Sequence, residues 1–594
     1  MRDRENASRF RGVWAQYLRG FRLLSRVVPS LSQAIVLHSA VAALTPYVTI
    51  WLFSRVLTVL ETRSSSAWTQ AWIALGAEVG LLVVGAVFRR RKEAKWDMLY
   101  RATERLLADT MLNMDHTAAE SPLTAEALAR AKESMNALGS GLVQLPDILQ
   151  NWVWGLLGIV ASVVSLHGIF CVGGMMGGLC LSSLIAASAL SWWLSARSER
   201  LHKQYTDEVV HLDRQYYAFY DTVFDKEYAA DMRLYQQDHR VLQRLENIET
   251  LAFQKQGYKY KRSHSVCGWL QALSALPYAL WIGGMCFCAA FGIGGAFGLG
   301  VPVQVMVASV WAIRDIEKLR WGVTHAFSNR EHLERLYRFL DIPPQMYRGS
   351  LTTEKRSDHE YTLEVKGISF RYPSATQDAL TDIHVRLDSG KRIAIVGRNG
   401  SGKSTFLKLL SRLYDPYDGE ILLNGIDIRK YRYEEFSALL SAVFQEVRML
   451  HRSVAENVAC DLEYDRERVI QCLDAVGLKV DADRMVDESF SGADEQKLAM
   501  ARALYKGTPF ILLDEPTAAL DPAAETSMYA SFDRLIGDRT AVYVSHRMSV
   551  CRFCDEILVF EKGRIVQRGS HDELVVDRDG PYYRLWSAQA QYYI

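Results

Sequence analysis

A glycine-rich stretch in the second half of the chain most constrains what this sequence can fold into. Residues 397–405 read Gly-Arg-Asn-Gly-Ser-Gly-Lys-Ser-Thr, directly after the apolar, strand-like run 393–396 and before the helix-like run 406–410. This is the P-loop pattern in its required context, a turn between a strand and a helix. A glycine turn with a purely structural role is the alternative, and the flanking strand and helix argue against it.

The residue types in this loop suit a polyphosphate and a divalent cation. Glycines let successive backbone N–H groups turn toward phosphate oxygens, Lys403 adds a positive charge there, and the Ser404 hydroxyl can bind Mg²⁺. We therefore predict ATP and Mg²⁺ as cofactors. The predicted nucleotide-binding residues of the loop are Gly397, Asn399, Gly400, Ser401, Gly402, Lys403, Ser404 and Thr405.

Two adjacent acids, Asp514 and Glu515, end a second apolar, strand-like run at 510–513. Such a pair fits Mg²⁺ binding by Asp514 and polarisation of an attacking water molecule by Glu515. Two acids after a buried strand can also form a helix N-cap. The P-loop roughly 110 residues upstream favours the catalytic interpretation.

The first half of the chain is typical of a membrane domain. Its apolar runs have lengths near the roughly 20 residues that cross a bilayer as a helix. Six such runs lie at 33–56, 67–88, 146–167, 170–194, 266–290 and 301–322. Arg314, Asp315, Glu317 and Lys318 interrupt the last run, so it is either shorter or its polar residues face protein or a water-filled cavity.

The distribution of Lys and Arg predicts the orientation in the membrane. Arginines precede the first span, among them Arg9, Arg11, Arg19, Arg22 and Arg26. Residues 89–92 after the second span are all Lys or Arg, and the tight loops 166–170 and 291–300 carry neither. The N-terminus and the P-loop half are therefore expected in the cytoplasm of a multi-pass cell-membrane protein. The first span is too long for a cleavable signal peptide.

Two polar stretches of roughly 55 and 70 residues separate spans two and three and spans four and five. They are too long for simple connections, and we expect them to carry helices into the cytosol. Pro122 and the charged segment 225–234 lie near their turning points. Two interpretations stay open for these turns, solvated surface and docking on the nucleotide domain.

Charge and cysteine content exclude some classes of function. The net charge is +1 at pH 7, which gives no case for a nucleic-acid partner. Cys551 and Cys554 have CxxC spacing, but no second pair of ligands is nearby in the sequence, so we expect neither a zinc nor a redox role. Five of the nine cysteines lie in apolar spans, where Cys acts as a small hydrophobe: Cys171, Cys180, Cys267, Cys286 and Cys288.

These patterns predict a transmembrane domain at 1–340, a polar, proline-bearing linker at 341–360 and a nucleotide-binding domain at 361–594. Strands are expected at 361–365 and 379–387, and the Asn424-Gly425 pair between apolar runs predicts a hairpin. The fold class is therefore an all-α transmembrane domain with long cytoplasmic extensions, joined to an α/β P-loop ATPase domain.

Further motifs follow the P-loop in order. Residues 491–497 read Ser-Gly-Ala-Asp-Glu-Gln-Lys and lead into a helix-like run. Four shorter motifs each contain one residue of interest: Tyr372 before the P-loop, and Gln445, Asp521 and His546 after it. With the P-loop and Asp514-Glu515, these motifs resemble those of an ABC transporter of the exporter type. The resemblance covers nearly the whole chain and is to a half-transporter, with six spans followed by one nucleotide-binding domain.

The resemblance implies roles for these residues. Tyr372 would stack on adenine, Gln445 would sense Mg²⁺ and transmit to the membrane domain, and Asp521 would lie in a loop at the dimer interface. His546 would hydrogen-bond the γ-phosphate beside Glu515. The implied catalytic residues are Glu515, His546, Lys403 and Gln445, the metal ligands Ser404, Gln445 and Asp514, and the further nucleotide contacts Ser491 and Gly492.

The resemblance also implies a dimer, in which each ATP lies between the P-loop of one chain and the signature segment of a second half-transporter. ATP hydrolysis would drive alternating access and export of a peptide, a hydrophobic drug-like compound or a lipid across the membrane. The second hypothesis is a nucleotide-gated regulator or sensor that binds ATP and a ligand or partner without pumping.

The signature segment departs from the family pattern. The usual Leu-Ser-Gly-Gly-Gln is here Phe-Ser-Gly-Ala-Asp at 490–494. The segment before it, at 486–489, is several residues shorter than the usual stretch of the family. We expect the Ala493 methyl and the Asp494 charge to weaken ATP capture. One half of a heterodimer and a homodimer with tolerant signatures both remain open.

Overall fold

The computed structural model describes residues 2–61, 67–136, 140–166, 182, 185–198, 200–201, 220, 223, 226–290, 300–354, 356, 360–373, 375–487, 489–516 and 536–590. The chain divides into two compact units. The helical unit comprises Met1–Asp109 and Ala127–Leu340, and the α/β unit comprises Thr110–Glu126 and Asp341–Ile594.

Long helices make up the described part of the helical unit. The helices before residue 341 are α1 (Arg2–Val27), α2 (Leu31–Glu61), α3 (Ala67–Leu112), α4 (His116–Ala119), α5 (Pro122–Asn136), α6 (Leu145–Leu166), α7 (Lys226–Leu234), α8 (Asp238–Ala290) and α9 (Gly300–Leu340). Helix α4 and the adjoining ends of α3 and α5 belong to the α/β unit.

Among the described residues, three helical segments are long and apolar enough to cross a membrane. They are Leu31–Leu57, Trp68–Leu112 and Leu145–Leu166. The predicted runs at 266–290 and 301–322 lie within α8 and α9, and most of the predicted run at 170–194 falls outside the described residues. The helical membrane part of the predicted fold class is therefore confirmed.

Two of the charged residues that interrupt the last predicted span, Asp315 and Lys318, contact other protein groups. Asp315 is only 1% exposed, and the Tyr47 hydroxyl donates a hydrogen bond of 2.6 Å to its Oδ2. A Cβ added at Gly158 of α6 would lie 2.2 Å from the Asp315 carboxyl group, so only a glycine leaves room for this acid. Lys318 Nζ lies 3.5 Å from the centre of the Trp154 indole. Asp315 thus faces protein, which is one of the two expected alternatives.

Strands and short helices alternate in the α/β unit. Its strands are β1 (Leu363–Phe370), β2 (Leu380–Leu387), β3 (Arg392–Gly397), β4 (Asp418–Leu423), β5 (Ile426–Asp427), β6 (Leu440–Val443), β7 (Phe510–Asp514), β8 (Thr540–Val544), β9 (Glu556–Glu561) and β10 (Arg564–Gly569). Its helices after residue 400 are α10 (Lys403–Leu410), α11 (Tyr433–Ser437), α12 (Val454–Ala459), α13 (Arg466–Ala475), α14 (Gly492–Lys506), α15 (His571–Val576) and α16 (Pro581–Ala590), with 3-10 turns at Ile428–Lys430 and Met548–Phe553.

The smaller sheet is antiparallel, with strand order β2-β1-β4-β5. Its hairpin confirms the predicted Asn-Gly turn, because Leu423 pairs with Ile426 across it. Asn424 and Gly425 both have left-handed backbones, with φ of 50° and 84°, as a two-residue hairpin turn requires. Strands β1 and β2 confirm the other two strand predictions.

The larger sheet has the order β10-β9-β3-β8-β7-β6, and its strands from β9 to β6 are parallel. All five residues of β7 and of β8 are buried, as in a sheet covered on both faces. The carboxyl ends of parallel strands meet at one edge of a sheet, and ligands bind there. The segments that follow β3, β8, β7 and β6 therefore come together.

Candidate functional site

One pocket of about 550 Å³ lies at this edge of the larger sheet. The P-loop follows β3, His546 follows β8, Glu515 follows β7 and Gln445 follows β6. The residues that line the pocket are Gly397, Arg398, Asn399, Gly400, Lys403, Ser404, Gln445, Glu515, Ser545, His546, Met548, Leu585 and Gln589. The fold thus gathers four separately predicted segments around a single cavity.

Backbone geometry explains the glycines of the P-loop. Gly402 precedes α10 with φ of 102°, and a Cβ there would lie 2.8 Å from the Ala379 carbonyl oxygen. A Cβ on Gly397 would lie 2.3 Å from the Phe560 carbonyl oxygen. Lys403 Nζ donates to the carbonyl oxygens of Gly397 and Arg398 at 3.0 and 3.1 Å, so its charge lies against the loop. The loop leads into the N-terminus of α10, where backbone N–H groups favour anions.

Asp514 and Ser404 form the part of the site suited to a cation. The Ser404 hydroxyl donates a 3.1 Å hydrogen bond to Asp514 Oδ1, and Asp514 is 3% exposed. Burial raises the pKa of the Asp514 carboxyl group, and the Ser404 hydrogen bond opposes the shift. Burial likewise lowers the pKa of Lys403, opposed by the charges of Glu515 and Asp514. Burial therefore disfavours the charged forms of Asp514 and Lys403, and a bound ligand of opposite charge beside each group would stabilise those charged forms.

Glu515 and His546 lie side by side. His546 Nδ1 is 3.2 Å from Glu515 Oε2. Glu515 has a left-handed backbone with φ of 50°, an uncommon conformation for a residue with a side chain, and its N–H donates to the Val544 carbonyl at 2.9 Å. Strand β8 thus holds the turn that aims the Glu515 carboxylate into the pocket.

Tyr372 lies beside the first turn of α10. Its hydroxyl is 3.1 Å from the Thr405 hydroxyl, and its ring meets the Tyr414 ring edge-on with 5.3 Å between centroids. Ser401 of the loop is buried. The structure therefore places the predicted adenine-stacking residue next to the predicted phosphate loop.

The signature segment is not among the residues that line this pocket. Ser491 is the N-cap of α14, and Gly492 is its first residue. The Asp494 N–H donates to the Ser491 hydroxyl oxygen at 3.2 Å and the Ser491 N–H donates to Asp494 Oδ2 at 3.3 Å, which together form a capping box. The Ser491 hydroxyl also donates to Asp494 Oδ2 at 2.7 Å. Asp521, the other predicted residue of the dimer interface, lies outside the described residues.

Sequence reasoning missed several features of the site. The Ser-x-x-Asp spacing at 491–494 is a capping-box signal, and it gives Asp494 a local role at the start of α14. From the sequence, we predict only the repulsion between the Asp494 charge and ATP. Met548, Leu585 and Gln589 also line the pocket, and the last two come from α16, roughly 180 residues after the P-loop. No local pattern in the sequence links this helix to the loop.

The turn between α3 and α5 contacts the rest of the α/β unit. Asp115 Oδ2 accepts hydrogen bonds from the N–H groups of Gln345 and Met346 at 2.7 and 3.1 Å. The Tyr414 hydroxyl donates to Glu120, and the Tyr414 and His116 rings meet edge-on at 5.3 Å. These contacts favour docking over a solvated turn. The second predicted turn, at 225–234, corresponds to α7, which belongs to the helical unit. Its first residue, 225, lies outside the described residues.

The CxxC pair has a packing role. Cys551 and Cys554 are buried, and burial raises the pKa of the Cys551 thiol to about 12. Within the described part of the chain, no group of three or more His, Cys, Asp and Glu side chains is arranged to hold a metal. Both side chains belong to the hydrophobic core of the α/β unit.

The shifted pKa of Asp514 predicts a pH-dependent effect of Asp514→Asn on stability. Because the native pKa is raised, stability is lost as pH rises from the unfolded-state pKa through the native pKa of this carboxyl group, and the penalty is complete only above the native pKa. We expect Asn to raise the melting temperature of the nucleotide-free protein at neutral pH, with a gain that shrinks as pH falls. The exposed Asp579→Asn is the control, and a gain independent of pH would contradict the account.

The Tyr414 contact predicts that Tyr414→Phe loosens the turn between α3 and α5. Phe keeps the ring packing against Tyr372 and His116 but removes the hydrogen bond to Glu120, a loss of about 1–3 kcal/mol for a bond to a charged group. Hydrogen exchange in the peptide covering 110–126 should speed up by roughly tenfold. Tyr347→Phe, at a side chain that is 65% exposed, is the control. Unchanged exchange in Tyr414→Phe would show that the hydroxyl does not hold this turn.

Comparison with known proteins places this geometry in context. Residues 380–518 match the family model "ABC transporter". ATP-dependent lipid A-core flippases are similar over about half of this chain. The flippase of Haemophilus influenzae (strain 86-028NP) is 37% identical over 268 residues, 43% of this chain and 45% of the relative. That of Yersinia pestis bv. Antiqua (strain Antiqua) is 35% identical over 298 residues, 48% of this chain and 50% of the relative. The chain thus spans about half the length of the curated relatives it matches.

The similarity of fold extends further than the similarity of sequence. A solved bacterial Atm1-family ABC exporter with ATP bound matches 96% of this chain and 100% of its own, with a TM-score of 0.72 and 21% sequence identity. This match confirms the fold class over nearly the whole chain, a helical domain followed by an α/β nucleotide-binding domain. Together, these findings confirm the resemblance of the chain to an exporter-type ABC half-transporter with an ABC ATPase domain.

Proposed function

We propose that this protein is an ATP-driven exporter that works as a dimer of half-transporters. The observation that carries the proposal is the placement of the Glu515 carboxylate 3.2 Å from His546 Nδ1 in the pocket that Lys403 and Ser404 also line. A site that only binds a nucleotide needs the loop and the lysine. An acid held beside them in a strained backbone suits hydrolysis.

ATP would bind with its phosphates on the P-loop and its adenine against Tyr372. The N-terminus of α10, the loop N–H groups and the Lys403 charge favour the β- and γ-phosphates. The fold neighbour with ATP bound supports this nucleotide. Ser404, Asp514 and Gln445 would hold Mg²⁺, because they supply the oxygen ligands that this ion prefers. The bound ion would neutralise charge on the phosphate oxygens.

Hydrolysis would follow from the positions of Glu515 and His546. Glu515 would accept a proton from a water molecule whose oxygen attacks the γ-phosphorus, while the bond from that phosphorus to the β–γ bridging oxygen breaks. His546 would hydrogen-bond the γ-phosphate, and Lys403 would stabilise the charge that moves to the leaving phosphate. The site would thereby distinguish ATP from ADP.

A second chain would complete each ATP site. Ser491 and Gly492 do not line the pocket of their own chain, yet they sit at the N-terminus of the 15-residue helix α14, whose dipole favours phosphate. In a head-to-tail dimer this end would face the ATP of the partner, with Asp521 at the interface. Closure around ATP would then be a contact between chains rather than a motion within one.

Transport would couple to this closure through the docked first turn. Tyr414 contacts both Tyr372 and residues of the turn, so a change at the adenine site has a direct physical route to α3 and α5. We assign the α/β unit to the cytoplasm and the spans to the cell membrane. The cargo would be a peptide, a hydrophobic drug-like compound or a lipid, and the names of the curated relatives support a lipid.

The second candidate function is a nucleotide-gated regulator that does not pump. The capped signature favours it, because the Ser491 hydroxyl already donates to Asp494 of its own chain. The Glu515–His546 pair argues against it, since a switch driven by binding alone has no use for a hydrolytic acid. We therefore rank transport first.

The proposal predicts that Glu515→Gln abolishes ATP turnover but leaves ATP binding intact. In lipid nanodiscs, turnover should fall by roughly 10²–10⁴-fold, because the amide cannot accept the proton from water. Glu463→Gln, at an exposed acid outside the pocket, is the control. Normal turnover in Glu515→Gln would remove Glu515 from the mechanism, whereas a wild-type dimer that binds ATP and never hydrolyses it would favour the regulator.

The negative charge of Asp494 predicts the effect of Asp494→Gln on the chain assayed alone. Gln removes a negative charge next to the place where a partner's γ-phosphate would lie, so kcat/KM for ATP should rise by roughly threefold to tenfold. Glu495→Gln on the same helix turn is the matched control. If Asp494→Gln has no effect and only a second protein restores activity, the chain is one half of a heterodimer.

A further inference from the structure

The C-terminal helix α16 reaches the segment that carries His546 through one side chain. Gln589 Nε2 donates to the His546 carbonyl oxygen at 2.5 Å, and Gln589 Oε1 accepts from the Met548 N–H at 3.0 Å. The side-chain amide thus bonds both backbone groups that flank Arg547, as a neighbouring strand would. Two bonds from one planar group fix the direction of that backbone as well as its position.

The segment that carries His546 lies just beyond the end of β8, so the hydrogen bonds of the sheet do not hold its backbone. The Ser545 N–H still donates to the Ile395 carbonyl of β3 at 3.2 Å, which marks the edge of the sheet at this point. Beyond it, the Arg547 N–H donates to the Ser545 hydroxyl at 2.9 Å, a local turn bond. Gln589 provides an anchor from outside this local segment.

Helix α16 itself is firmly held. Tyr582 is fully buried, its hydroxyl is 2.7 Å from His571 Nδ1, and its N–H donates to Gln567 Oε1 at 3.0 Å. Leu585, one turn before Gln589, lines the same pocket as His546. The amide of Gln589 is therefore presented from an anchored element, as a positioning group must be.

We propose that Gln589 is a positioning residue for His546. By holding the backbone on both sides of Arg547, it keeps His546 Nδ1 beside Glu515 and aimed at the γ-phosphate. This inference rests on the proposed hydrolysis. It extends the nucleotide site to the last helix of the described chain, and it assigns that helix a role in catalysis rather than in packing alone.

The kinetic test uses the full chain in nanodiscs with Mg²⁺ and ATP. Gln589→Ala should lower kcat by roughly ten- to hundredfold, the size expected for a misplaced catalytic group, and leave KM for ATP within about twofold. Gln589→Glu keeps the acceptor for Met548 but loses the donor to His546, and it should be equally impaired. Gln567→Ala is the matched control, because this glutamine holds the same helix without touching the His546 segment.

A double-mutant cycle separates positioning from general destabilisation. In a His546→Ala background, Gln589→Ala should cost less than about twofold in kcat, because its effect acts through the absent imidazole. A loss in that background as large as in the wild type would overturn the proposal. An equal loss of kcat in Gln567→Ala would also overturn it, because helix docking alone would then explain the effect.

Hydrogen exchange tests the same inference without any ATP turnover. In Gln589→Ala, the peptide covering 544–553 should exchange roughly tenfold faster, because the Met548 N–H loses its acceptor, while Gln567→Ala should leave it much less affected. If the wild type hydrolyses no ATP but this protection pattern holds, the proposed function fails and the anchoring of the His546 segment stands. Unchanged exchange in Gln589→Ala would overturn the inference, whatever the activity.

Discussion

The parallel pairing of β6, β7, β8 and β3 is the constraint on which the rest of this site depends. Each strand ends at the same edge of the sheet, so each following segment delivers its side chain to one place. Asp514 pairs with Val544 in this register, and Glu515, one residue after β7, lies beside His546, two residues after β8. A slip of one residue in any strand would turn these side chains to the opposite face.

Burial gives this edge its chemistry. Asp514 and Lys403 are both nearly inaccessible to water, and each has a pKa shifted toward its neutral form by that burial. A protein gains nothing in stability from such an arrangement. The arrangement would become favourable if a divalent cation bound the acid and a phosphate bound the lysine, so the burial that costs stability would also favour the ligands of the proposed site.

Sequence reasoning succeeded where function requires residues that are close along the chain. The P-loop, the Asp-Glu pair after β7 and the Asn-Gly hairpin each carry their own local signal, and the structure places them as expected. It failed where a contact joins distant segments. Nothing in the sequence near Gln589 shows that it bonds the His546 segment, and nothing near Asp115 shows that it accepts from Gln345. The role of Asp494 was accessible from its spacing to Ser491, but the comparison with a family pattern drew attention to its charge instead.

In the proposed mechanism one ATP lies between two chains, with the P-loop of one facing Ser491 and Gly492 of the other. The most direct test is an experimental structure of the Glu515→Gln chain in nanodiscs with ATP and Mg²⁺. We predict a dimer in which the γ-phosphate contacts Lys403 and His546 of one chain and the N-terminus of α14 of the other. ATP held on a single chain, with α14 of every other chain remote from it, would contradict the account.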